Sequence, residues 1–477
     1  MGVDSSTQST KVELRRLDDG GLVASGRAVH PSTTPPRSEQ HPDAWVGALE
    51  EAMAQCRAQI PLADVAALAV AGQQHGLVVL GADDRPLRPA KLWNDTESAA
   101  EAASLVRDAG ARFWADSCGS VPVASFTITK LAWLAAHEPD VFGRVSRVLL
   151  PHDYLTWWLT GSFVTDRGDA SGTGWWSPTD EAWDVALLGR VAPGVDWTER
   201  LPEILAPDAV VGPVRSDRAS DLGVSPAAVV APGTGDNMAA ALGLGLGPGD
   251  LALSFGTSGT AYAVSPTSTA DPTGAVAGFA DATGNFLPLV CTLNAMKVTD
   301  AMAALLDVDH EAFDRLARSA PPGASGLTLV PYFDGERTPN RPDATGSLVG
   351  LRSGVSRPDL ARAAVEGVVC GLLEGADALT TAGVDTETGR VAMIGGGTRS
   401  QAYRDSVAGL VQRPVVIPAA DELVALGACV QAAMALGSGS AAEVADRWGL
   451  REGVVVDPTL APSEARAVRD RYAEARG

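Results

Sequence analysis

The alternation of hydrophobic and polar positions predicts a mixed α/β fold that opens with antiparallel strands. Residues 11–17 and 22–29 alternate as strands do, on either side of the turn signal Asp18-Asp19-Gly20-Gly21, and residues 1–4 resemble the end of another strand. The apolar run 65–70 is bounded by turn residues, which predicts a buried strand. Because the first strand is short, we expect the natural chain to begin a few residues upstream.

Further strands and helices follow along the chain. The pattern predicts strands at 78–80 (continuing the first sheet), 251–254, 261–264 and 391–394, and helices at 43–59, 98–109, 128–136, 357–379 and 425–436. The stretch 164–176, rich in Gly, Ser, Thr and Asp, predicts a loop. Since 251–264 repeats the strand–turn–strand layout of 4–17, the sequence predicts two related domains.

Length and composition limit the class of protein. A chain of 477 residues exceeds one ordinary core, which favours two large domains. The formal net charge of -21 argues against a nucleic-acid binder, and no apolar run is long enough to predict a membrane span. Five widely spaced cysteines without a CxxC pair indicate reduced thiols, so we expect a cytoplasmic protein. The oligomeric state stays open, with a homodimer as one form.

Two hydroxyl-rich turns are candidate phosphate sites, and the chain has neither a GxxxxGK[ST] nor a GxGxxG motif. In the first turn, Thr7 and backbone N–H groups are suited to phosphate oxygens, Lys11 adds positive charge, and Asp4 is suited to hold Mg²⁺ through water. In the second, the glycines around Gly256 and Thr257 allow the backbone to approach a ligand closely. Taken alone, each turn is also explained by a plain polar hairpin.

Two glycine-rich segments offer further candidate chemistry. Asp236 follows an apolar run and two glycines, so its carboxylate is a candidate to accept the proton of an attacking hydroxyl at a strand end. The same residue is also a good start for the helix predicted after it. Gly395-Gly396-Gly397, between a strand and a helix, would let a flat nucleoside lie against the backbone, although a simple turn explains one of these glycines.

Polar residues of two short segments are candidates to bind a polyol. Gln74 and His75 in the first segment, and Asn94 and Asp95 in the second, carry groups that hydrogen-bond hydroxyls. Trp93 is a candidate to stack on a sugar face. Taken singly, a histidine or tryptophan of this kind is more often structural.

Taken in order, several segments resemble the FGGY family of carbohydrate kinases, which belongs to the actin-like ATPase superfamily, over nearly the whole chain. They are "KLAWL" and "LPHDYLTWWLTG" within 126–161, "GDNMAAALG" from Gly235, "LSFGTSGT" from Leu253, "PYFDGERTPNRPDATGSLVGL" from Pro331, "DLARAAVEG" from Asp359, "GGGTRSQAYRDSVAGLVQRPV" from Gly395, and "DELVALGA" from Asp421.

The resemblance implies an α/β protein of two actin-like (ribonuclease H-like) ATPase domains with an interdomain cleft. Residues 1–242 would bind mainly the sugar, and residues 243–477 mainly ATP. The implied reaction transfers the γ-phosphate of ATP, with Mg²⁺, to a sugar hydroxyl. The segments "AGQQHGLV" from Ala71 and "LWND" from Leu92 are similar to those of family members that act on xylulose, so D-xylulose is the expected acceptor.

The resemblance also implies a role for each candidate. Asp236 would be the general base, and Asp4 would position Mg²⁺. Phosphate oxygens would be held by Thr7, Gly256 and Thr257, and the nucleoside would be flanked by Gly396, Gly397 and Gln401. The sugar hydroxyls would be bound by Gln74, His75, Asn94 and Asn237. Two residues depart from the family pattern, because Ser6 stands where glycine is usual and Gln74 where methionine is usual.

Two alternatives to this interpretation stay open. One is a family kinase for another sugar or polyol, such as ribulose, fuculose, gluconate or glycerol. The other is a non-catalytic actin-like ATP-binding module that switches partners. The polar segments around His75 and Asn94 disfavour the second alternative, because such a module needs no sugar pocket.

Overall fold

Strands of two to eight residues form most of the framework in this computed structural model, which describes every residue from Met1 to Gly477. The strands, in chain order, are β1 Gly2–Ser5, β2 Ser9–Arg15, β3 Leu22–Val29, β4 Glu39–Gln40, β5 Ala67–Gly72, β6 Val78–Leu80, β7 Ala90–Lys91, β8 Arg147–Leu149, β9 Val164–Asp166, β10 Trp176–Ser177, β11 Ala182–Trp183, β12 Glu203–Leu205, β13 Gly212–Pro213, β14 Val229–Val230, β15 Thr234–Gly235, β16 Leu251–Phe255, β17 Gly259–Ala263, β18 Ala277–Ala280, β19 Phe286–Thr292, β20 Thr328–Val330, β21 Ser347–Val349, β22 Val391–Ile394, β23 Val415–Pro418 and β24 Gly453–Val456.

Helices alternate with these strands, and the predicted helices end within two residues of their observed bounds. The α-helices are α1 Pro42–Gln59, α2 Ala99–Ala109, α3 Ala111–Cys118, α4 Thr127–His137, α5 Pro139–Phe142, α6 Pro151–Thr160, α7 Arg167–Ala170, α8 Val185–Leu188, α9 Ser216–Leu222, α10 Asp236–Gly243, α11 Met296–Leu305, α12 His310–Ser319, α13 Arg357–Thr381, α14 Gln401–Val411, α15 Leu423–Ala435, α16 Ala441–Arg447 and α17 Pro462–Arg476, and short 3₁₀ helices lie at Ala324–Gly326 and Gly396–Arg399. No helix combines the length and the apolar character that crossing a bilayer requires.

The chain forms two compact units, and each unit is built from three segments. Unit 1 comprises Met1–Leu246, Pro266–Leu287 and Ala420–Arg451, and unit 2 comprises Gly247–Ser265, Pro288–Ala419 and Glu452–Gly477. The expected domain bounds, 1–242 and 243–477, stay a prediction.

The main sheets of the two units share one topology. In unit 1 the strand order is β3-β2-β1-β5-β14-β13, and successive pairs are antiparallel, antiparallel, parallel, parallel and antiparallel. In unit 2 the order β19-β17-β16-β22-β23-β24 has the same succession of directions. The strand–turn–strand repeat seen in the sequence is therefore one part of a repeated sheet.

Two local predictions are wrong. The strand at 78–80 does not continue the main sheet, because β6 pairs with β8 in a separate two-stranded sheet. The stretch 164–176 is a loop only at 171–175, because 164–166 form β9, 167–170 form α7 and Trp176 begins β10, and the whole stretch is buried. Its polar residues bond one another: the Asp166 carboxylate accepts hydrogen bonds from the N–H groups of Gly168 and Asp169 at the start of α7. Polarity there reflects buried hydrogen bonding and not exposure to water.

Helices α10 and α15 of unit 1 pack closely because each has a glycine at the contact. A Cβ atom on Gly427 would lie 1.7 Å from the carbonyl oxygen of Ala239, and one on Gly243 would lie 2.1 Å from that of Leu423. Such distances leave no room for a methyl group, so the two backbones must separate if either glycine is replaced. Because α10 begins at Asp236, this contact also supports the candidate site.

We expect Gly427→Ala to destabilise the protein by about 1–3 kcal/mol, because the added methyl group forces α15 away from α10. The matched control is Gly47→Ala, since Gly47 is an exposed glycine inside α1 with no atom near its Cβ position. That change should stabilise by about 0.4–1 kcal/mol. Thermal unfolding of both variants measures the difference, and a gain in Tm for Gly427→Ala would contradict the close packing.

Candidate functional site

The predicted site residues of unit 1 meet at one edge of the main sheet. Strands β1 and β15 both pair in parallel with β5, and Asp4 and Thr234 are both register partners of Ala71. The carboxyl ends of the three strands therefore lie side by side. The residues that follow these ends, among them Gln73 and Asp236, come to the same edge, which is where open α/β sheets bind ligands.

Asp4 lies buried at the end of β1 within a set of charged and hydroxyl partners. The Ser6 hydroxyl donates a hydrogen bond to Asp4 Oδ1, and Lys11 Nζ lies 3.4 Å from Asp4 Oδ2. Lys11 Nζ also donates to Glu422 Oε2 at 2.6 Å. Burial raises the pKa of Asp4, although the Lys11 charge opposes this effect. The positive charge of Lys11 thus offsets the negative charges of two carboxylates of unit 1, Asp4 and Glu422.

Thr7 connects the first hydroxyl-rich turn to the candidate polyol residues. Its hydroxyl donates to Gln73 Oε1 at 3.2 Å and accepts from Trp93 Nε1 at 2.7 Å. Trp93 is 39% exposed, so its ring keeps an open surface. Gln73 precedes Gln74 and His75 in the first candidate polyol segment, and its hydrogen bond with Thr7 makes it part of this site.

Asp236 is the first residue of α10 and is half-buried. Its Oδ1 accepts hydrogen bonds from the backbone N–H of Asn237 at 2.8 Å and from Asn237 Nδ2 at 3.1 Å. Burial, together with the negative charges of Asp4 and Asp169, raises the pKa of Asp236 to about 7. A carboxyl group with this pKa can both take up and release a proton near neutral pH.

Several buried amide groups at this edge lack partners within the chain. Asn237 Nδ2 donates to Gln74 Oε1 at 2.7 Å, but Gln74 Nε2 has no hydrogen-bond partner. The same holds for Gln73 Nε2 and Asn94 Oδ1. An unpaired buried polar group costs about 1–3 kcal/mol, so this concentration of unpaired amides is typical of a site that binds a polar ligand.

His75 is buried and adopts a strained backbone conformation, with φ of 64°. Its ring stacks on Phe126 at a centroid distance of 5.0 Å. His75 Nδ1 lies 2.8 Å from the carbonyl oxygen of Gly172. Because a carbonyl oxygen only accepts, Nδ1 carries the proton and Nε2 is the acceptor nitrogen of the ring. Positive φ at a non-glycine residue is costly and is concentrated at functional sites.

Asp95 belongs to a buried ion cluster. Lys91 Nζ lies 3.2 Å from its carboxylate, and it also contacts the carboxylates of Glu39 and Glu97. The Asp95 carboxylate further accepts the backbone N–H groups of Ser38 at 2.8 Å and Glu97 at 3.1 Å. These interactions give Asp95 a structural role, and its predicted contact with a ligand gains no support from this geometry.

A second buried ion cluster contacts β15, the strand before Asp236, and was not predicted from the sequence. His152 Nδ1 lies 2.8 Å from Asp169 Oδ2, and its Nε2 lies 3.1 Å from Asp153 Oδ1. Although burial alone would lower it, the charges of these carboxylates raise the pKa of His152 to about 9. Asp166 of the same cluster accepts a hydrogen bond from the Thr234 hydroxyl at 2.7 Å. The cluster therefore holds the strand that leads directly into Asp236.

The candidate residues of unit 2 also meet at one sheet edge. Strands β16 and β22 are parallel, with Ser254 paired to Ile394, so the second hydroxyl-rich turn and the triple glycine follow neighbouring strand ends. In that turn, the carbonyl oxygen of Gly256 accepts from the N–H of Met296, and Thr257 is exposed. The structure thus brings the predicted nucleotide-binding segments together within unit 2.

The three consecutive glycines Gly395, Gly396 and Gly397 of unit 2 have different roles. Gly395 has φ of 85°, and its Cβ would lie 2.7 Å from the carbonyl oxygen of Phe255. A Cβ on Gly397 would lie 2.6 Å from Phe255 Cβ, whereas one on Gly396 would meet nothing closer than 3.9 Å. Packing against β16 therefore explains two of these glycines, and Gly396 leaves an open backbone surface. Nearby, Gln401 is exposed and donates to Asp405 at 2.7 Å.

Comparison with known proteins gives concordant matches over most of the chain. The model of the FGGY family of carbohydrate kinases matches with its N-terminal domain at residues 1–243 and with its C-terminal domain at residues 251–436. The curated xylulose kinase of Streptomyces coelicolor is 49% identical over 460 residues, which cover 96% of this chain and 92% of that protein.

Solved structures agree with these sequence matches. The crystal structure of xylulose kinase from Bifidobacterium adolescentis matches with a TM-score of 0.88 and 39% identity, covering 100% of this chain and 99% of that one. The crystal structure of gluconate kinase from Lactobacillus acidophilus matches with a TM-score of 0.92 and 26% identity, covering 100% of this chain and 96% of that one. The two-domain α/β fold expected from the sequence is confirmed.

The raised pKa of Asp236 predicts that Asp236→Asn stabilises the folded chain at alkaline pH. The unfolded carboxyl group ionises near pH 4, whereas the folded one resists ionisation up to about pH 7, so stability falls between these values and stays lower above them. The side-chain amide of Asn does not ionise, so the variant does not lose this stability as the pH rises. We expect a Tm gain of about 2–4 °C at pH 8 that shrinks as the pH approaches 4.

Asp196→Asn is the matched control for this measurement. Asp196 is exposed, and its hydrogen bonds to Thr198 lower its pKa, so its removal should give no gain at pH 8. Thermal unfolding of the parent and both variants at several pH values tests the prediction. An Asp236→Asn gain that is absent at pH 8, or equal at every pH, would contradict the raised pKa.

Proposed function

The chain belongs to the FGGY family of carbohydrate kinases, and on that basis we propose that it transfers the γ-phosphate of ATP to the 5-hydroxyl of D-xylulose. The products are D-xylulose 5-phosphate and ADP. The observation that carries this proposal is a half-buried Asp236 with a near-neutral pKa beside unpaired buried amides. The high identity to a curated xylulose kinase over most of both chains supports D-xylulose as the sugar.

Asp236 acts as the general base. Its carboxylate accepts the proton of the 5-hydroxyl as that oxygen attacks the γ-phosphate. A pKa near 7 suits this role, because the group is largely ionised at physiological pH and still basic enough to take the proton. The hydrogen bonds from Asn237 hold Oδ1 in place, so the second carboxylate oxygen is the one that faces the hydroxyl.

The two hydroxyl-rich turns bind phosphate oxygens of ATP. The first turn offers the Thr7 hydroxyl and the Lys11 charge. The Gly256–Thr257 turn offers the backbone N–H of Thr257, because the Gly256 N–H already donates to the Ser258 carbonyl oxygen. Gly396, whose backbone surface is open, lies against the nucleoside, with Gly397 and Gln401 beside it. Phosphoryl transfer depends mostly on such positioning and on charge neutralisation, because the protein has little covalent work to do.

Asp4 suits a hydrated Mg²⁺ ion. Carboxylate oxygens are ligands that Mg²⁺ prefers, and this ion keeps several of its waters, so a single carboxylate can hold it through water. Burial raises the pKa of Asp4, and the Asp4 charge in turn raises the pKa of Asp236, so a nearby cation would stabilise both carboxylates. Bound Mg²⁺ would supply neutralisation of the phosphate charges during transfer.

Polar side chains around Asp236 bind the sugar hydroxyls. Gln74, His75, Asn94 and Asn237 form this set, and Gln73 joins it because its buried Nε2 has no partner in the chain. Trp93 borders the site and is fixed by its bond to Thr7. Asp95 supports the site through Lys91 without contacting the sugar.

Two wider expectations belong to the same proposal. All five cysteines are free, which supports the expected cytoplasmic location, because disulfides form mainly in oxidising compartments. The homodimer stays a prediction.

A panel of sugars tests the proposed substrate. We expect the highest kcat/KM for D-xylulose when ADP formation is coupled to a detectable reaction, compared with ribulose, fuculose, gluconate and glycerol. The physical reason is that the buried amides around Asp236 each need a matching oxygen, and a polyol with oxygens elsewhere leaves them unpaired. A higher kcat/KM for another member of the panel would overturn the choice of sugar.

Asp236→Asn should lower kcat by roughly 10²–10⁴-fold, because the amide cannot take up the proton. In the parent enzyme, kcat/KM for D-xylulose should fall about tenfold per pH unit below about pH 7, as the base becomes protonated. ATP binding, measured by calorimetry, should be unchanged in the variant. Turnover of the variant within a few-fold of the parent would remove Asp236 from the role of base.

A further inference from the structure

The orientation of the Gln74 side-chain amide is fixed by the residues around it. Asn237 Nδ2 donates to the Asp236 carboxylate at 3.1 Å, so this atom of Asn237 is the nitrogen and not the oxygen. The same Nδ2 lies 2.7 Å from Gln74 Oε1, and only an acceptor can face a donor at this distance. Gln74 must therefore point its oxygen at Asn237 and its NH₂ group away from it.

The NH₂ group of Gln74 needs an acceptor that the chain does not provide. Gln74 is only 4% exposed, and its Nε2 makes no hydrogen bond within the chain. A buried donor of this kind is costly unless something pairs with it. A methionine at position 74 would have a similar length but no N–H group. If the position required only packing, methionine would avoid the cost of the unpaired Gln74 NH₂ group.

The Gln74 amide lies beside the general base. Strand β5 pairs with β15, with Gly72 opposite Gly235, and a Cβ on Gly235 would lie only 2.7 Å from Gln74 Cγ. Gln74 Oε1 and Asp236 Oδ1 also share a single donor, Asn237 Nδ2. The Gln74 amide is thus two hydrogen bonds away from the Asp236 carboxylate. Oxygens on adjacent carbons of a substrate are spaced so that one can face Asp236 while the other faces the Gln74 NH₂ group.

We propose that Gln74 Nε2 donates a hydrogen bond to the substrate oxygen on the carbon next to the phosphorylated one, so that Gln74 is a specificity-determining residue for a terminal 1,2-diol. The inference rests on the proposed function, in which the phosphorylated oxygen is O5 and the oxygen that Gln74 recognises is the C4 hydroxyl. A sugar without that oxygen leaves the buried NH₂ group unpaired in the transition state. Sites built to hydrogen-bond a substrate oxygen reject such analogues strongly.

The test compares D-xylulose with the analogue that lacks only its C4 hydroxyl, in the parent enzyme and in Gln74→Met. The parent should prefer D-xylulose by roughly 10²-fold or more in kcat/KM. In Gln74→Met the preference should fall by at least tenfold, because kcat/KM drops for D-xylulose and not for the analogue. The KM for ATP should stay constant, since the change concerns only the sugar. Gln59→Met, on an exposed face of α1, is the matched control and should keep the parent preference.

Two outcomes would overturn the proposal. The first is an equal kcat/KM of the parent for both sugars, a result that does not require any variant to fold. The second is a Gln74→Met enzyme that folds, by its Tm, and keeps the parent preference, which would mean that the NH₂ group faces only water. If the panel identifies another sugar as the substrate, the proposed function fails on its own and the Gln74 proposal is still testable. The same comparison is then made between that sugar and its analogue that lacks the oxygen next to the phosphorylated carbon.

Discussion

The parallel pairing of β5 with both β1 and β15 is the constraint on which the site of unit 1 depends. It places three strand ends side by side, and each end is followed by a different kind of chemistry. Asp4 and the hydroxyl-rich turn follow β1, the glutamines and His75 follow β5, and Asp236 follows β15. Small residues make this pairing close, because Gly72 and Gly235 are opposite each other and leave room for the side chains of His152 and Gln74.

Bringing carboxylates together at one buried edge has an electrostatic cost. Asp4 and Asp169 repel the negative charge on Asp236, and burial removes the water that would stabilise it, so the pKa of Asp236 rises toward neutrality. The imidazolium of His152 stabilises the negative charge of Asp169. At neutral pH the folded chain is therefore less stable than it would be without the Asp236 charge, and a near-neutral pKa suits the role of general base that we propose for Asp236.

Much of the fold was predictable because the elements are long and their patterns are regular. Strands β3 and β22 have the predicted bounds, and α1 and α13 differ from prediction by no more than two residues. The failures have a common cause. The stretch 164–176 is polar because its aspartates, threonines and serines bond one another in a buried segment, and residue type alone does not distinguish a buried polar network from a solvated loop. In the same way, residue type alone does not reveal the ion pair between Asp95 and Lys91.

The sequence by itself determined which residue types are available and in what order, and hence the repeated strand–turn–strand layout and the candidate roles of Asp4, Asp236 and Gly396. These follow from local preferences and from motif resemblance, which need no knowledge of distant contacts. Only the tertiary structure decided which of these groups meet. The hydrogen bond of Thr7 with Gln73, the orientation of the Gln74 amide and the hydrogen bond from Thr234 to Asp166 join segments separated by 66 to 163 residues. Strand register and packing create these contacts, and local pattern does not encode them.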